Sequence, residues 1–267
     1  MPTASAQLAS EVLRSFSMWH LPVDPFEIAR HEGVMLRVGD FGSSFDARIE
    51  FYRKAKRFCI YYNEAGGWRT VGRVRFSIAH ELAHFYLPRH RERLLNGVMH
   101  NSVSDFGSRS PTELEADEFA ADLLMPMELF RAALDLFRNG FCDLDDVTRL
   151  ADRLGTSITS TARRYCESDR EPCTIFFSEE GIIRWGHSSE DMKRTGMFYY
   201  PYNTAPPRES KTIEFWSAVN EGGQAGKLSG RVPSHTWFEW PQASYLWEEV
   251  MPLGNTGRVI TQLTRDD

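Results

Sequence analysis

Long apolar runs and an excess of basic charge are both absent from this sequence. Its start, MPTASAQLASEVLRSF, lacks the basic residues and apolar stretch of a signal peptide, and no run is long enough to cross a bilayer. The formal net charge of -6 argues against a surface built mainly to bind nucleic acid or anionic lipid. These absences predict a cytoplasmic protein without membrane association, and they disfavour direct DNA binding.

Paired cysteines are absent as well. The four cysteines, Cys59, Cys142, Cys166 and Cys173, form no Cys-x-x-Cys motif. A cysteine zinc knuckle is therefore not expected, and reduced structural thiols are the simplest interpretation.

The chain reads as an α+β protein in three parts. Over 1–130, two helices and a small sheet with a hairpin precede a helix over about 71–86 and another in SPTELEADEFAADLLMP, joined by a polar connection. Over 131–169, DLDDVTRLADRLGTSITSTARRYCE has a helix-turn-helix pattern. Over 170–267, short aromatic runs such as CTIFFSEEGIIRWG, TIEFWSAV, HTWFEW and RVITQLT predict a β-rich domain.

Two histidines one helical turn apart are the main functional signal. In RVRFSIAHELAHFYL, His80 and His84 lie about 40° apart on one helix face, with Glu81 beside them. Neutral imidazoles at this spacing can bind one zinc ion, and Glu81 could then act as general base on a water that the ion activates. Two ordinary structural histidines remain the alternative, since chance alone puts the motif in about one or two of a hundred such chains.

The next predicted helix, in SPTELEADEFAADLLMP, offers carboxylates for a third ligand. Glu113 and Asp117 share a stripe with Ala and Leu residues, so one could bind zinc while the other accepts a ring N–H from a liganding histidine. The opposite side, predicted to be a solvated face, carries Glu115, Glu118 and Asp122.

A helix cap is the competing role for Glu113. Ser110, followed by Pro111, begins a capping box in which Glu113 would bond back to the cap backbone. Asp117 lies one turn further in, where an uncompensated carboxylate would be costly.

Together, RVRFSIAHELAH and ELEADEFAADLLMP resemble the motifs of the ImmA/IrrE family of bacterial and phage zinc metallopeptidases. LPVDPFEIARHEGV and FCIYYN extend the resemblance to about residues 5–130. It implies a zincin-like metallopeptidase domain over 1–130, with His80, His84 and Glu113 as ligands of Zn2+ and Glu81 as the catalytic base. Asp117 completes the family's Glu-x-x-Ala-Asn/Asp motif, which leaves it to orient a liganding histidine.

The resemblance also implies a substrate. Characterised members cleave a partner helix-turn-helix repressor and so switch on genes for element transfer or the DNA-damage response. An endopeptidase acting on such a repressor is therefore expected. IrrE-like members carry a GAF-like sensor domain after the helix-turn-helix, which implies a sensor or substrate-specifying role for 170–267.

The helix-turn-helix pattern also allows a different class of function. Arg163 and Arg164 lie where a recognition helix would place them, which suggests a regulator that binds DNA or a protein partner, with zinc only stabilising the fold. However, 143–167 carries about as many acidic as basic residues, which favours a structural or substrate-docking helix pair.

Other conspicuous side chains have simpler interpretations. His187 and His235 lack partners at ligand spacing and are taken as structural, and Arg73 and Arg75 could orient a substrate or pair with acids. The C-terminal aromatic residues predict a β-rich core, with a ligand or peptide pocket as the alternative. They include Trp185, Phe198, Tyr199, Tyr200, Trp216, Trp237 and Trp240.

Overall fold

Helices account for 45% and strands for 23% of this protein, as expected for the α+β class. The computed structural model describes residues 3–64, 70–97, 100–102, 110–137, 142–197, 202–223, 226–239, 244–254 and 257–266. Residues cluster into two units, one of Met1–Ala132 with Ala151–Ser157, the other of Ala133–Leu150 with Ile158–Asp267. The three-part division at 130 and 169 stays a prediction.

The first unit combines a mixed four-stranded sheet with helices. Its helices are α1 (Ala4–Ser15), α2 (Pro25–His31), α3 (Val71–Tyr86), α4 (Pro88–Leu95), α5 (Pro111–Leu124) and most of α6 (Met127–Leu134). Its strands are β1 (Met35–Gly39), β2 (Ala47–Tyr52), β3 (Arg57–Asn63) and β4 (His100–Ser102). In the strand order β1-β3-β2-β4, β1 runs parallel to β3, and β2 is antiparallel to both its neighbours.

The predicted hairpin and the predicted motif helix are confirmed. Ile49 of β2 pairs with Ile60 of β3, and both side chains are fully buried. Helix α3 packs against these strands and against α5. Its Phe85 contacts Phe58 of β3 edge to face, with ring centroids 5.0 Å apart. The helix that carries the histidine motif is therefore a central element of the first unit's core.

The predicted polar connection after α3 is wrong in part, because it contains α4. Pro88 begins this helix, and a proline at the first helical position costs no hydrogen bond. Buried Leu94 lies four residues after buried His90, so the two occupy one inward face of an otherwise charged helix. A single apolar position on that face was too weak a signal to predict the helix.

The second unit is built on an antiparallel sheet of five strands in the order β6-β5-β9-β8-β7. These are β5 (Cys173–Glu179), β6 (Ile182–Ser188), β7 (Leu228–Pro233), β8 (Tyr245–Pro252) and β9 (Arg258–Arg265). Its helices are most of α7 (Leu144–Leu154), α8 (Ile158–Glu167), α9 (Glu190–Arg194) and α10 (Lys211–Asn220), with a short 3-10 helix at Ser234–Thr236. The predicted hairpin in CTIFFSEEGIIRWG and the predicted strand in RVITQLT are both confirmed.

Two runs predicted as strands are not strands. TIEFWSAV lies in α10, whose N-terminus is capped by Ser210, because the Ser210 hydroxyl accepts a hydrogen bond from the Ile213 N–H at 3.1 Å. HTWFEW falls partly in the 3-10 helix and otherwise outside strands in its described residues. Aromatic and β-branched content is no proof of a strand when a cap and tertiary packing favour a helix.

The second unit's core holds a buried carboxylate. Glu248 is fully buried, and its oxygens accept hydrogen bonds from the backbone N–H and hydroxyl of Thr212 and from the indole N–H of Trp237. The Trp237 ring stacks on Phe176 with centroids 4.5 Å apart. The sheet, α10 and the 3-10 helix are thus joined around one polar centre.

The predicted helix pair at 144–167 consists of α7 (Leu144–Leu154) and α8. The turn between them contains Gly155 at φ +63°, a conformation that glycine adopts without strain. All four cysteines are free and buried, in agreement with the prediction of structural thiols.

Candidate metal centre

Helix α3 begins and ends where its sequence signals predict. The Thr70 hydroxyl accepts a hydrogen bond from the Arg73 N–H at 3.2 Å, and Leu87, which precedes Pro88, ends the helix in an extended conformation. Gly72 lies close to the backbone of Thr156, where a Cβ atom would come within 2.5 Å of the carbonyl carbon. Glycine is therefore required at the start of this helix by close packing.

The middle of α3 is buried on every side. Ile78 and Leu82 are fully buried on the apolar face. His80, Glu81 and His84 are only 4%, 0% and 2% exposed on the other face. Buried polar and charged groups are costly unless other groups compensate them, so this face needs partners.

Helix α5 supplies those partners from its first two turns. The Ser110 hydroxyl accepts a hydrogen bond from the Glu113 N–H at 3.2 Å, so the predicted N-cap is present. The Glu113 carboxylate lies with Oε2 3.2 Å from His80 Nε2. Glu113 therefore donates its backbone N–H to the N-cap residue and contacts His80 with its side chain.

Asp117 contacts the other nitrogen of the same ring. Its Oδ1 lies 2.8 Å from His80 Nδ1, while about half of its side chain remains exposed. When Asp117 accepts the Nδ1–H of neutral His80, the lone pair of that ring is on Nε2. His80 is thus oriented with its lone pair toward Glu113 and His84.

Three ligand-type atoms converge at this point. His80 Nε2 lies 3.2 Å from His84 Nε2 and 3.2 Å from Glu113 Oε2, and the three residues offer atoms within 4.8 Å of one another. A tetrahedral ion with bonds of about 2.0–2.1 Å separates its ligand atoms by roughly 3.3 Å. The spacing and the nitrogen and carboxylate donors therefore fit a metal ion.

The electrostatics of the cluster also favour a cation. Burial alone would lower the pKa of His80, but the hydrogen bonds to Asp117 and Glu113 outweigh burial and raise this pKa to about 10. The nearby Glu81 carboxylate acts in the same direction. A site that holds a proton this firmly stabilises positive charge, and a bound cation would provide that charge.

A third histidine, outside the His-Glu-x-x-His motif, lies against this cluster. His90 of α4 is 4% exposed, and its Nδ1 is 3.0 Å from His84 Nδ1. Its Nε2 is 3.2 Å from Glu115 Oε2 on α5. Leu94, at the same helical face, was the available signal that His90 points inward.

The predicted solvated face of α5 is confirmed for Glu115 and Glu118, which are exposed, and is wrong for Asp122, which is partly buried. Glu115 also contacts His90 while remaining half exposed. Asp122 accepts a hydrogen bond from the Ser5 hydroxyl of α1 at 3.1 Å. Spacing on one helix could not reveal these contacts, because their partners come from elsewhere in the chain.

The arginines before the motif have structural contacts in the first unit. Arg73 donates two hydrogen bonds to buried Asp46, from Nε at 3.2 Å and Nη2 at 2.7 Å. The Arg75 guanidinium donates to the carbonyl oxygen of Val23. Of the two roles considered for Arg73, pairing with an acid is the one the structure provides.

The arginines of α8 are held by an acid on the same helix. Arg163 Nε donates to Glu167 Oε1 at 2.8 Å and Arg164 Nη1 to Glu167 Oε2 at 3.2 Å. The Arg164 side chain is only 8% exposed. The single Glu167 carboxylate offsets part of the charge of the basic pair on which the DNA-binding interpretation depends.

The C-terminal aromatic residues and the two lone histidines differ in how deeply they are buried. Trp216 and Trp237 are core residues as predicted, and Trp185 stacks on Phe177 with centroids 5.7 Å apart. His187 is half-buried, which lowers its pKa, whereas His235 is exposed. The other aromatic residues lie outside the described residues: Phe198, Tyr199, Tyr200 and Trp240.

Comparisons with known proteins agree with the position of the cluster. The family model Peptidase_M78, the IrrE N-terminal-like domain, matches residues 30–165, which include every residue of the cluster. No curated protein matches the sequence. A solved structure of a Mycobacterium tuberculosis transcriptional regulator has a similar fold, with a TM-score of 0.56 and 14% identity. That likeness covers 97% of this chain and 76% of the other, and at this identity it concerns the fold alone.

Among the described residues, no helix is both long and apolar enough to cross a membrane.

Proposed function

This chain belongs to the ImmA/IrrE family of metallopeptidases, and from that premise we propose that it is a zinc-dependent endopeptidase. The observation that carries the proposal is the convergence of His80, His84 and Glu113, whose ligand atoms lie within 4.8 Å of one another. Two imidazoles and one carboxylate are a usual protein ligand set of catalytic zinc sites. In this proposal the three residues bind Zn2+.

Zinc, when bound, would supply Lewis acidity that activates water and polarises a substrate carbonyl. Glu81 follows His80 on the buried face of α3 and is the proposed general base. Its carboxylate would take a proton from the attacking water and pass it to the leaving amine as the peptide C–N bond breaks. The products are a new carboxyl terminus and a new amino terminus, so one water is consumed for each bond cut.

Asp117 would hold His80 ready for this chemistry. Its hydrogen bond to Nδ1, at 2.8 Å, keeps the Nε2 lone pair directed at the metal position. Asp117 is thus a positioning residue in the proposed enzyme and no ligand.

The proposed substrate is a helix-turn-helix transcriptional repressor, whose cleavage would derepress stress-response or mobile-element genes in the cytoplasm. Family membership supports this choice, because characterised relatives act on such repressors. The alternative of a DNA-binding regulator is less well supported, since Glu167 holds both Arg163 and Arg164. The net charge of -6 also provides no general attraction to DNA.

Residues 170–267 are proposed to sense a signal or to specify the substrate. The argument rests on family architecture. A chain ending at residue 169 that still cleaves its repressor, and only under inducing conditions, would contradict this role.

The test is cleavage of a purified candidate repressor, chosen as the product of a neighbouring repressor-like gene. The zinc-loaded protein should produce two fragments by mass spectrometry, whose masses sum to that of the substrate plus one water. Glu81→Gln should bind zinc normally yet cleave at least about a hundredfold more slowly, the usual size of a general-base contribution. Glu118→Gln, on the exposed side of α5, should cleave at the wild-type rate. Undiminished cleavage by Glu81→Gln would refute the mechanism.

A further inference from the structure

His90 stands out because the proposed ligand set does not use it. It is a buried histidine on α4, and both of its ring nitrogens face side chains from other helices. Nδ1 is 3.0 Å from His84 Nδ1, and Nε2 is 3.2 Å from Glu115 Oε2. Two such contacts fix the plane and the direction of the His90 ring.

The proton positions along this chain of contacts follow from the proposed zinc site, on which this inference rests. If His84 binds the metal through Nε2, a neutral His84 carries its proton on Nδ1. That N–H then donates to His90 Nδ1, which must carry a lone pair. Neutral His90 therefore has its proton on Nε2 and donates it to Glu115. Every N–H in this series therefore has an acceptor, so His84, His90 and Glu115 form one continuous chain of hydrogen bonds.

We propose that His90 and Glu115 are positioning residues that orient His84 for metal binding. Groups that accept the second N–H of a liganding histidine fix its tautomer and ring orientation and raise its basicity as a ligand. His90 does this for His84 directly, and Glu115 acts through His90.

The other histidine ligand, His80, is supported in a similar way. Asp117 accepts from His80 Nδ1 at 2.8 Å without an intermediary. Glu113, Glu115 and Asp117 all lie in the first two turns of α5, so one short segment would supply a ligand and support both histidines. Glu115 contacts the His90 ring, and the His90 ring contacts His84, so α4 provides the connecting ring.

Helix α4 is held in place by contacts other than those of the histidine pair. Leu94 is buried beside His90 on the inward face, and the Arg91 guanidinium lies over the Phe85 ring of α3, 4.3 Å from its centroid. These contacts hold α4 against α3 independently of the histidine pair. A substitution at His90 can therefore remove the acceptor while the helix keeps its anchors.

The experiment measures the zinc dissociation constant of the full-length protein by competition with a chromophoric chelator. His90→Ala should weaken zinc binding about tenfold to a hundredfold, the usual loss when such a partner is removed. Glu115→Ala should weaken it less. Glu118→Ala, a matched control on the same helix, should leave the constant unchanged.

Two further variants separate positioning from a general structural role. His90→Asn keeps an acceptor near the Nδ1 position, so it should recover most of the lost affinity. Combining Glu115→Ala with His90→Ala should cost no more than His90→Ala alone, because Glu115 acts only through His90. Circular dichroism of the zinc-free proteins checks that each variant is folded. If His90→Ala does not fold, His90→Asn and Glu115→Ala carry the comparison.

The inference would be overturned if folded His90→Ala bound zinc as tightly as the wild type, or if the losses in the double variant were additive. Either result would leave the proposed peptidase function unaffected. A wild-type protein that binds no zinc would instead refute the proposed function and the inference together.

Discussion

Replacing Asp117 by alanine is expected to weaken zinc binding about tenfold. The substitution removes the 2.8 Å hydrogen bond at His80 Nδ1. Hydrogen bonds to charged groups contribute about 1.5–3 kcal/mol, and the lower end applies because the Asp117 side chain is 52% exposed. Since about 1.4 kcal/mol corresponds to a factor of ten, the lower limit gives the tenfold estimate.

Asp117→Asn should bind zinc with intermediate affinity. The amide oxygen can still accept the N–H of His80, but the negative charge is lost. Competition with a chromophoric chelator at neutral pH would rank the wild type, Asn and Ala variants in decreasing affinity. If folded Asp117→Ala bound zinc as tightly as the wild type, the orienting role of this carboxylate would be refuted.

Three further predictions concern the packing and the buried charges of the two units, each considered by itself. Gly72→Ala should lower the free energy of unfolding by about 1–3 kcal/mol in urea titrations, because its Cβ would lie 2.5 Å from the Thr156 carbonyl carbon. Gly226→Ala, whose Cβ meets no atom within 4 Å, should change little; equal effects at the two sites would contradict this packing. Glu248→Leu should cost about 3 kcal/mol, since the buried Thr212 N–H and Trp237 indole N–H lose their acceptor, and a neutral result by thermal unfolding would refute that role. Burial alone would raise the pKa of Glu167, but its two arginine neighbours outweigh burial and lower this pKa from its ordinary value. Its contribution to stability should therefore be full at pH 7 and lost as the pH falls through the lowered pKa. The difference in unfolding free energy between wild type and Glu167→Gln should shrink accordingly in acid, and a difference that grows would contradict the assignment.

Local signals predicted the elements that carry the ligands. The Thr70 cap and the Leu87–Pro88 junction define the ends of α3, and each acts within a few residues of its own position. The same holds for Ser110 and Pro111 at the start of α5. Because helical spacing is regular, the shared face of His80 and His84 followed from the sequence.

Contacts between different helices and strands could not be predicted from such local signals. The inward face of α4 has too few apolar side chains to predict a helix, and the residues of α10 suit a strand as well as a helix. The sequence of α5 contains nothing that reveals the contact between Glu115 and His90. The partner of Glu115 is distant in sequence, whereas the Ser210 cap of α10 is a local signal.

The sequence by itself determined the chemistry available to this protein: two aligned histidines with an adjacent glutamate, and acids one turn apart on a later helix. Both patterns depend on helical periodicity, which is a local property of the chain. Only the tertiary structure decided which acids meet which ring nitrogens. Those distances are set by how α3, α4 and α5 pack around one buried core, and packing depends on every residue of that core together.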